Sequence, residues 1–221
     1  MPRFTPIFVF RFRTIWARAR RRCSIEPLAV AVHTVELAQL KPGETAAILG
    51  LGPIGLLTAQ VARCAGAGLL IGSDLLDYRV AAGLHYGLDV AFNAAREDTV
   101  EAIMDITRGR GVDAAFDTAR SSDTPALACK VVRPAGRCVF TGISGEDYDP
   151  IPVGVARRKE LTVRWCRRFR HDYPRAIEMA AGGMVDVKSL VTHSFSLERT
   201  RDAFELVAAH ADNVLKASVD L

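Results

Sequence analysis

Gly50, Gly52 and Gly55 stand in the spacing G-x-G-x-x-G, and a carboxylate, Asp74, follows about 20 residues later. Between a strand and a helix, each glycine has a chemical use. Gly50 permits a tight turn, Gly52 leaves no side chain where a pyrophosphate must approach the backbone, and Gly55 lets the helix press on the sheet. The helix opened by Pro53 and Ile54 offers unpaired N–H groups and the positive end of its dipole to phosphate. Asp74, at the end of the following strand, can accept hydrogen bonds from both hydroxyls of a ribose and repels a 2′-phosphate, which favours NAD(H) over NADP(H). Arg79 argues the other way; as a helix residue beside an adenine it is expected to be solvated.

Other reactive side chains give less. The five cysteines (Cys23, Cys64, Cys129, Cys138, Cys166) are odd in number and form no Cys-x-x-Cys pair. That argues against a disulfide framework or a cysteine-rich zinc site and fits a reducing compartment. His33 and His193 have no partner at metal-ligand spacing and read as packing or surface histidines.

The elements around the glycines are regular. Residues 27–40 carry aliphatics at helical spacing, and Lys41-Pro42-Gly43-Glu44 is a stop-and-turn signal. Then come apolar runs at 45–50, 69–74, 90–94, 112–118, 136–142 and 160–165, separated by helical patterns at 53–66, 76–87, 98–109 and 122–134 and, before the last run, by a loop with Pro150 and Pro152. This alternation specifies an α/β, doubly wound, parallel six-stranded Rossmann sheet in the order 3-2-1-4-5-6, with the ligand at the switch point beside Gly50 to Gly55. Downstream lie a helix at 173–183, a strand at 191–197, an amphipathic helix with Ser196 as its N-cap, and a short strand at 216–221.

Charge is unevenly distributed. The first 25 residues hold seven arginines and no acid, and removing those seven from the formal net charge of +4 leaves −3 for the rest. A nucleic-acid-binding face on the folded body is therefore not expected. No apolar run approaches the roughly 20 residues of a membrane span.

From Glu26 onward the chain resembles the C-terminal part of the zinc-type medium-chain alcohol dehydrogenases, specifically the sorbitol/xylitol (polyol) branch. Glu26-Pro27-Leu28 through His33, the glycine motif with Asp74, Thr141-Gly142, Arg168 through Tyr173-Pro174, and the stretch 188–193 carry the likeness. It implies hydride transfer between a secondary alcohol and NAD, with a sugar alcohol or ketose as substrate. It places Thr141, Gly142 and Ile143 beside the nicotinamide, Arg168 by cofactor and substrate, and Glu26 at a catalytic zinc, directly or through water, only where the family's catalytic domain is present; this chain by itself is not expected to bind zinc.

The family's catalytic domain also supplies a cysteine and a Gly-His-Glu segment for zinc, and neither stands in this chain. Residues 1–25 are thus expected to be foreign sequence in its place, or a basic organellar leader; otherwise the expected location is cytoplasmic. Residues 26–168 form the NAD-binding domain and 169–221 a return segment of an incomplete catalytic domain. The expectation is a truncated chain that binds cofactor with weak or no turnover, or a non-catalytic NAD(H)-binding or subunit-pairing module. A second departure is Ala119-Arg120, where the family usually has a glycine, so Arg120 is expected at the pocket's edge. The 160–165 strand, with Leu161, Val163 and Trp165 on one face, implies pairing with its twin in a homo-oligomer.

Overall fold

The computed structural model describes residues 23–220; the basic leader, apart from its last three residues, lies outside the described residues. Helix α1 (Ile25–Ala38) buries nearly all its length and ends on Gln39, whose left-handed φ of 50° closes it before the Lys41-Pro42-Gly43 turn. It leads into β1 (Thr45–Leu49), α2 (Pro53–Cys64), β2 (Leu69–Asp74), α3 (Asp77–His85), β3 (Val90–Asn93), α4 (Thr99–Ile106), β4 (Val112–Asp117), α5 (Thr124–Val131), β5 (Val132–Phe140), α6 (Val153–Arg158) and β6 (Thr162–Trp165). All six strands are parallel, in the order β3-β2-β1-β4-β5-β6. This is the doubly wound sheet expected from the sequence. Among the described residues no helix is long and apolar enough to cross a membrane.

Alternation along each strand divides the core between the two faces. Ala46 and Ile48 of β1 join Ile25, Leu28, Val32, Leu56, Leu57 and Phe116, under α1 and α2. Ala47 and Leu49 face the other way, onto Ile71, Ile103, Cys129 and Val131 under α4 and α5. Two departures from the expected elements have local causes. β5 starts at Val132 and not at Gly136, because its register against β4 jumps between the Val112 and Ala114 pairings, with Ala135 at φ 54° in the irregular stretch. Residues 153–158, expected within a loop, form α6, which buries no residue and so leaves no apolar period to read.

The edge opposite the glycine turn is held by charge. Asp113 accepts hydrogen bonds from Arg110, Arg133 (2.5 Å) and the Thr45 N–H (3.0 Å). Burial opposes its ionisation, yet these partners keep its carboxyl far below the ordinary range.

Beyond β6, α7 (Tyr173–Ala181) packs on α1, and Ala176, Met179, Val185, Val187 and Leu190 extend the first core. A separate two-stranded parallel sheet joins β7 (His193–Ser196) to β8 (Ala217–Asp220) across α8 (Thr200–Ala208). Ser196 precedes a 3₁₀ turn, Leu197–Arg199, and makes no side-chain cap, so the expected N-cap of α8 is corrected.

Candidate active site: the dinucleotide cleft

The turn after β1 is shaped by contacts that tolerate no side chain at two of its glycines. Gly50 has φ +97°, and a Cβ there would lie 2.8 Å from the Ala119 backbone; one at Gly55 would lie 1.9 Å from the Gly50 carbonyl. Gly52 differs. A Cβ there would meet only the Arg79 guanidinium, at 4.0 Å, so folding does not demand this glycine. Gly52 is the N-cap residue of α2 and Pro53 opens it, leaving the helix's first N–H groups directed at the mouth.

Asp74 is tied to this turn. One carboxylate oxygen accepts the Leu51 N–H at 2.8 Å and the other the Leu76 N–H at 3.1 Å. Arg79 is not the solvated residue expected: its side chain is 19% exposed, with Nη1 3.6 Å from Asp74 and Nη2 3.1 Å from His210 Nδ1. Its Nε is buried without a hydrogen-bond partner among the described residues.

The opposite wall comes from the ends of β4 and β5. Thr118 Oγ1 donates to the Gly50 carbonyl at 2.7 Å, and the N–H groups of Thr141 and Gly142 both donate to the Asp117 carbonyl. A Cβ on Gly142 would lie 1.9 Å from the Ala119 oxygen, so these loops interlock. Together Ile54, Thr118, Ala119, Arg120, Thr141, Gly142, Ile143 and Gly145 line a cleft of about 390 Å³. Ile54, Thr141, Gly142 and Ile143 are thus brought to one cavity at the helix N-terminus, and Arg120 stands at its edge. A second cleft, of about 460 Å³, lies between α1, α2 and α7 and contains none of these residues.

Behind the wall stand groups the sequence gave no reason to single out. Thr34 Oγ1 lies 3.0 Å from Thr141 Oγ1 and donates to Cys166 Sγ at 3.3 Å, and burial pushes the Cys166 thiol up despite these hydrogen bonds. Asp117, 2% exposed, accepts from Thr124 Oγ1 and the Ala119 N–H, and burial raises its carboxyl to about 6. The pairings of Thr34 with Thr141 and Cys166 are long-range and have no signature in spacing.

Glu26 and Arg168 are exposed. Glu26 sits in the first turn of α1, and its charge, after burial, helps raise the Tyr173 phenol. Arg168 has φ 58°; its carbonyl accepts from Cys166 Sγ at 3.3 Å, and its side chain has no partner among the described residues. A catalytic zinc needs about three protein ligands. The one group of three possible ligands among the described residues is His33, Glu36 and Asp172, which excludes Glu26. The surroundings of Glu26 therefore do not fit a zinc site. His33, expected to lack ligand partners, has one possible partner three residues on, Glu36, and another brought in across the fold, Asp172.

Residues 53–182 match the family described as Zinc-binding dehydrogenase. The chain belongs to this family. Sorbitol dehydrogenase of Bacillus subtilis is 36% identical over 195 residues, covering 88% of this chain and 55% of its own length. Sorbitol dehydrogenase 1 of Saccharomyces cerevisiae is 30% identical over 202 residues, with 88% and 56% covered. Both relatives are polyol dehydrogenases by name, and the chain spans little more than half the length of each. Among solved structures, an Escherichia coli oxidoreductase/dehydrogenase of unknown specificity superimposes with a TM-score of 0.84 at 33% identity, covering 89% of this chain and 57% of that one. A Sinorhizobium meliloti zinc-binding dehydrogenase bound to NADP has a TM-score of 0.78 at 29% identity, with 83% and 54% covered. The fold is accordingly an NAD(P)-binding one.

Proposed function

We propose that residues 26–168 are the NAD(H)-binding domain of a polyol dehydrogenase and that residues 169–221 are a return segment of its catalytic domain. The observation that carries the cofactor reading is the Asp74 carboxylate anchored to the Leu51 N–H, which sets a fixed negative charge beside the turn. Its remaining lone pairs suit the two hydroxyls of an adenosine ribose, and a 2′-phosphate would meet like charge. The first N–H groups of α2 hold the pyrophosphate over Gly52, while Arg79, with Nη1 near Gly52 and an unpartnered Nε, leans over the same place. Thr141, Gly142, Ile143 and Ile54 form the slot for the nicotinamide, and Arg168 extends toward the substrate.

When bound, the nicotinamide supplies the hydride acceptor for a secondary alcohol or, in reverse, the donor to a ketose. The residues of this chain bind and orient. Glu26 alone does not fit a zinc, and no proton or alkoxide step is assigned to it. That observation favours a second reading, a chain that binds NAD(H) or pairs with another subunit without turnover by itself. Fluorescence titration with NADH and NADPH tests the cofactor reading, with tighter NADH binding expected. Polyol-dependent NADH production by the purified chain separates the two readings; turnover at enzyme-like rates would remove the second.

The proposed self-association is through β6. It is one of the two edge strands of the sheet, with Leu161 and Val163 packed on the core while Trp165 is 63% exposed and meets Phe140 edge-on at 5.6 Å. Leu161, one residue before the strand, packs on the same core as Val163, whereas Trp165 at the next alternate position is exposed.

A further inference from the structure

We propose that His33, Glu36 and Asp172 form a binding site for one divalent transition-metal cation, clamping α1 to the start of α7. His33 and Glu36 stand three apart on α1, the spacing by which a helix presents two ligands from one face. Asp172 arrives from the other side as the residue before α7, a helix packed on α1. One ligand atom from each of the three lies within 4.8 Å of the others.

The geometry suits a cation better than a closed hydrogen-bonded pair. His33 Nδ1 and Asp172 Oδ2 are 3.8 Å apart, beyond hydrogen-bonding distance, although both side chains are only 9% exposed. Among the described residues neither ring nitrogen of His33 has a hydrogen-bond partner, and neither is sealed from solvent, so a ring nitrogen is open to an arriving ion. Two ligands bound at the usual zinc distances are roughly 3.4 Å apart, so closing around an ion needs a shift of a few tenths of an ångström at this pair. The Arg170 N–H holds Asp172 Oδ2 at 2.8 Å, an outer partner that fixes the carboxylate's direction.

Glu36 is exposed and gives an entry path from solvent, and it is already paired with the Arg175 guanidinium. Arg175 acts as a competitor that an arriving cation displaces. One imidazole and two carboxylates are a donor set for Zn²⁺, Co²⁺ or Mn²⁺, with water completing the shell. The bound ion offsets two negative charges and ties the cofactor-binding sheet, through α1, to the C-terminal segment.

The test uses the full chain stripped of metal and titrated with Co²⁺ and Zn²⁺ by calorimetry, with visible absorption reporting the cobalt ligands. One Co²⁺ per chain is expected, without the sulfur charge-transfer bands of a cysteine site. His33→Ala and Asp172→Asn should weaken binding by more than the roughly 10- to 100-fold that losing an outer partner costs. Glu36→Gln, at an exposed position, keeps the test decisive if those variants fail to fold, and should weaken binding by about tenfold. Arg175→Ala should tighten it. No binding, thiolate bands, indifference to Glu36→Gln, or weaker or unchanged binding in Arg175→Ala would overturn the proposal.

Discussion

Asp74 Oδ2 accepts the Leu51 N–H at 2.8 Å, so the carboxylate that closes β2 also holds the glycine turn that closes β1. On the proposed reading, recognition of ribose and support of the phosphate loop thereby share one side chain. Asp74→Ala is expected to narrow the free-energy gap between NADH and NADPH binding by about 1–3 kcal/mol and also to lower thermal stability. Asp74→Asn removes the charge and keeps an acceptor for Leu51 but turns its NH2 on the Leu76 N–H, so it should narrow the gap while costing less stability than Asp74→Ala. Paired titrations and melts check this; equal affinities in the unmutated chain would remove the NAD assignment.

Gly52 and Gly142 should separate binding from folding. Gly52→Ala has room in the fold and is expected to change stability by no more than about 0.5 kcal/mol while weakening dinucleotide binding. Gly142→Ala forces a Cβ against the Ala119 oxygen and should cost about 1–3 kcal/mol whether or not cofactor is present. Denaturant titrations with and without NADH distinguish the two.

Asp117 gives a pH signature. Burial raises its carboxyl from 3.8 to about 6, so the fold prefers the protonated form. Its stabilising contribution is full below about pH 4 and is lost as pH climbs through about 6. Asp117→Asn retains an acceptor oxygen for Thr124 and Ala119 without titrating. The variant's stability relative to the unmutated chain should therefore rise between pH 4 and 7, by on the order of 1–3 kcal/mol. A pH-independent difference would contradict the assignment.

For the β6 edge, Val163→Pro removes an N–H and obstructs pairing with a second copy. Light scattering at micromolar concentration is expected to show a dimer or larger for the unmutated chain and a shift toward monomer for the variant. A monodisperse monomer before mutation, or a dimer indifferent to proline, would count against this interface.

The sheet order was legible because each parallel strand is a continuous apolar run bounded by glycine or proline, and β1 to β4 with their helices follow that rhythm. Where burial fades, so does the signal: α6 buries nothing, and the irregular start of β5 around Ala135 follows no period. The same contrast holds at the site. Gly50 to Gly55 and Asp74 are local and spaced, so they could be named from the text. His33 with Asp172, Thr34 with Cys166, and Arg79 with His210 lie between 131 and 139 residues apart, and only the folded chain joins them.

Gly50, Ala119 and Gly142 meet where the loops after β1, β4 and β5 touch, with no spare room for a methyl group at either glycine. Protein engineers and natural drift face the same restriction there. A loop grafted from another dehydrogenase fits only if its two neighbours travel with it, so specificity at this mouth is inherited as a set of three segments and not residue by residue.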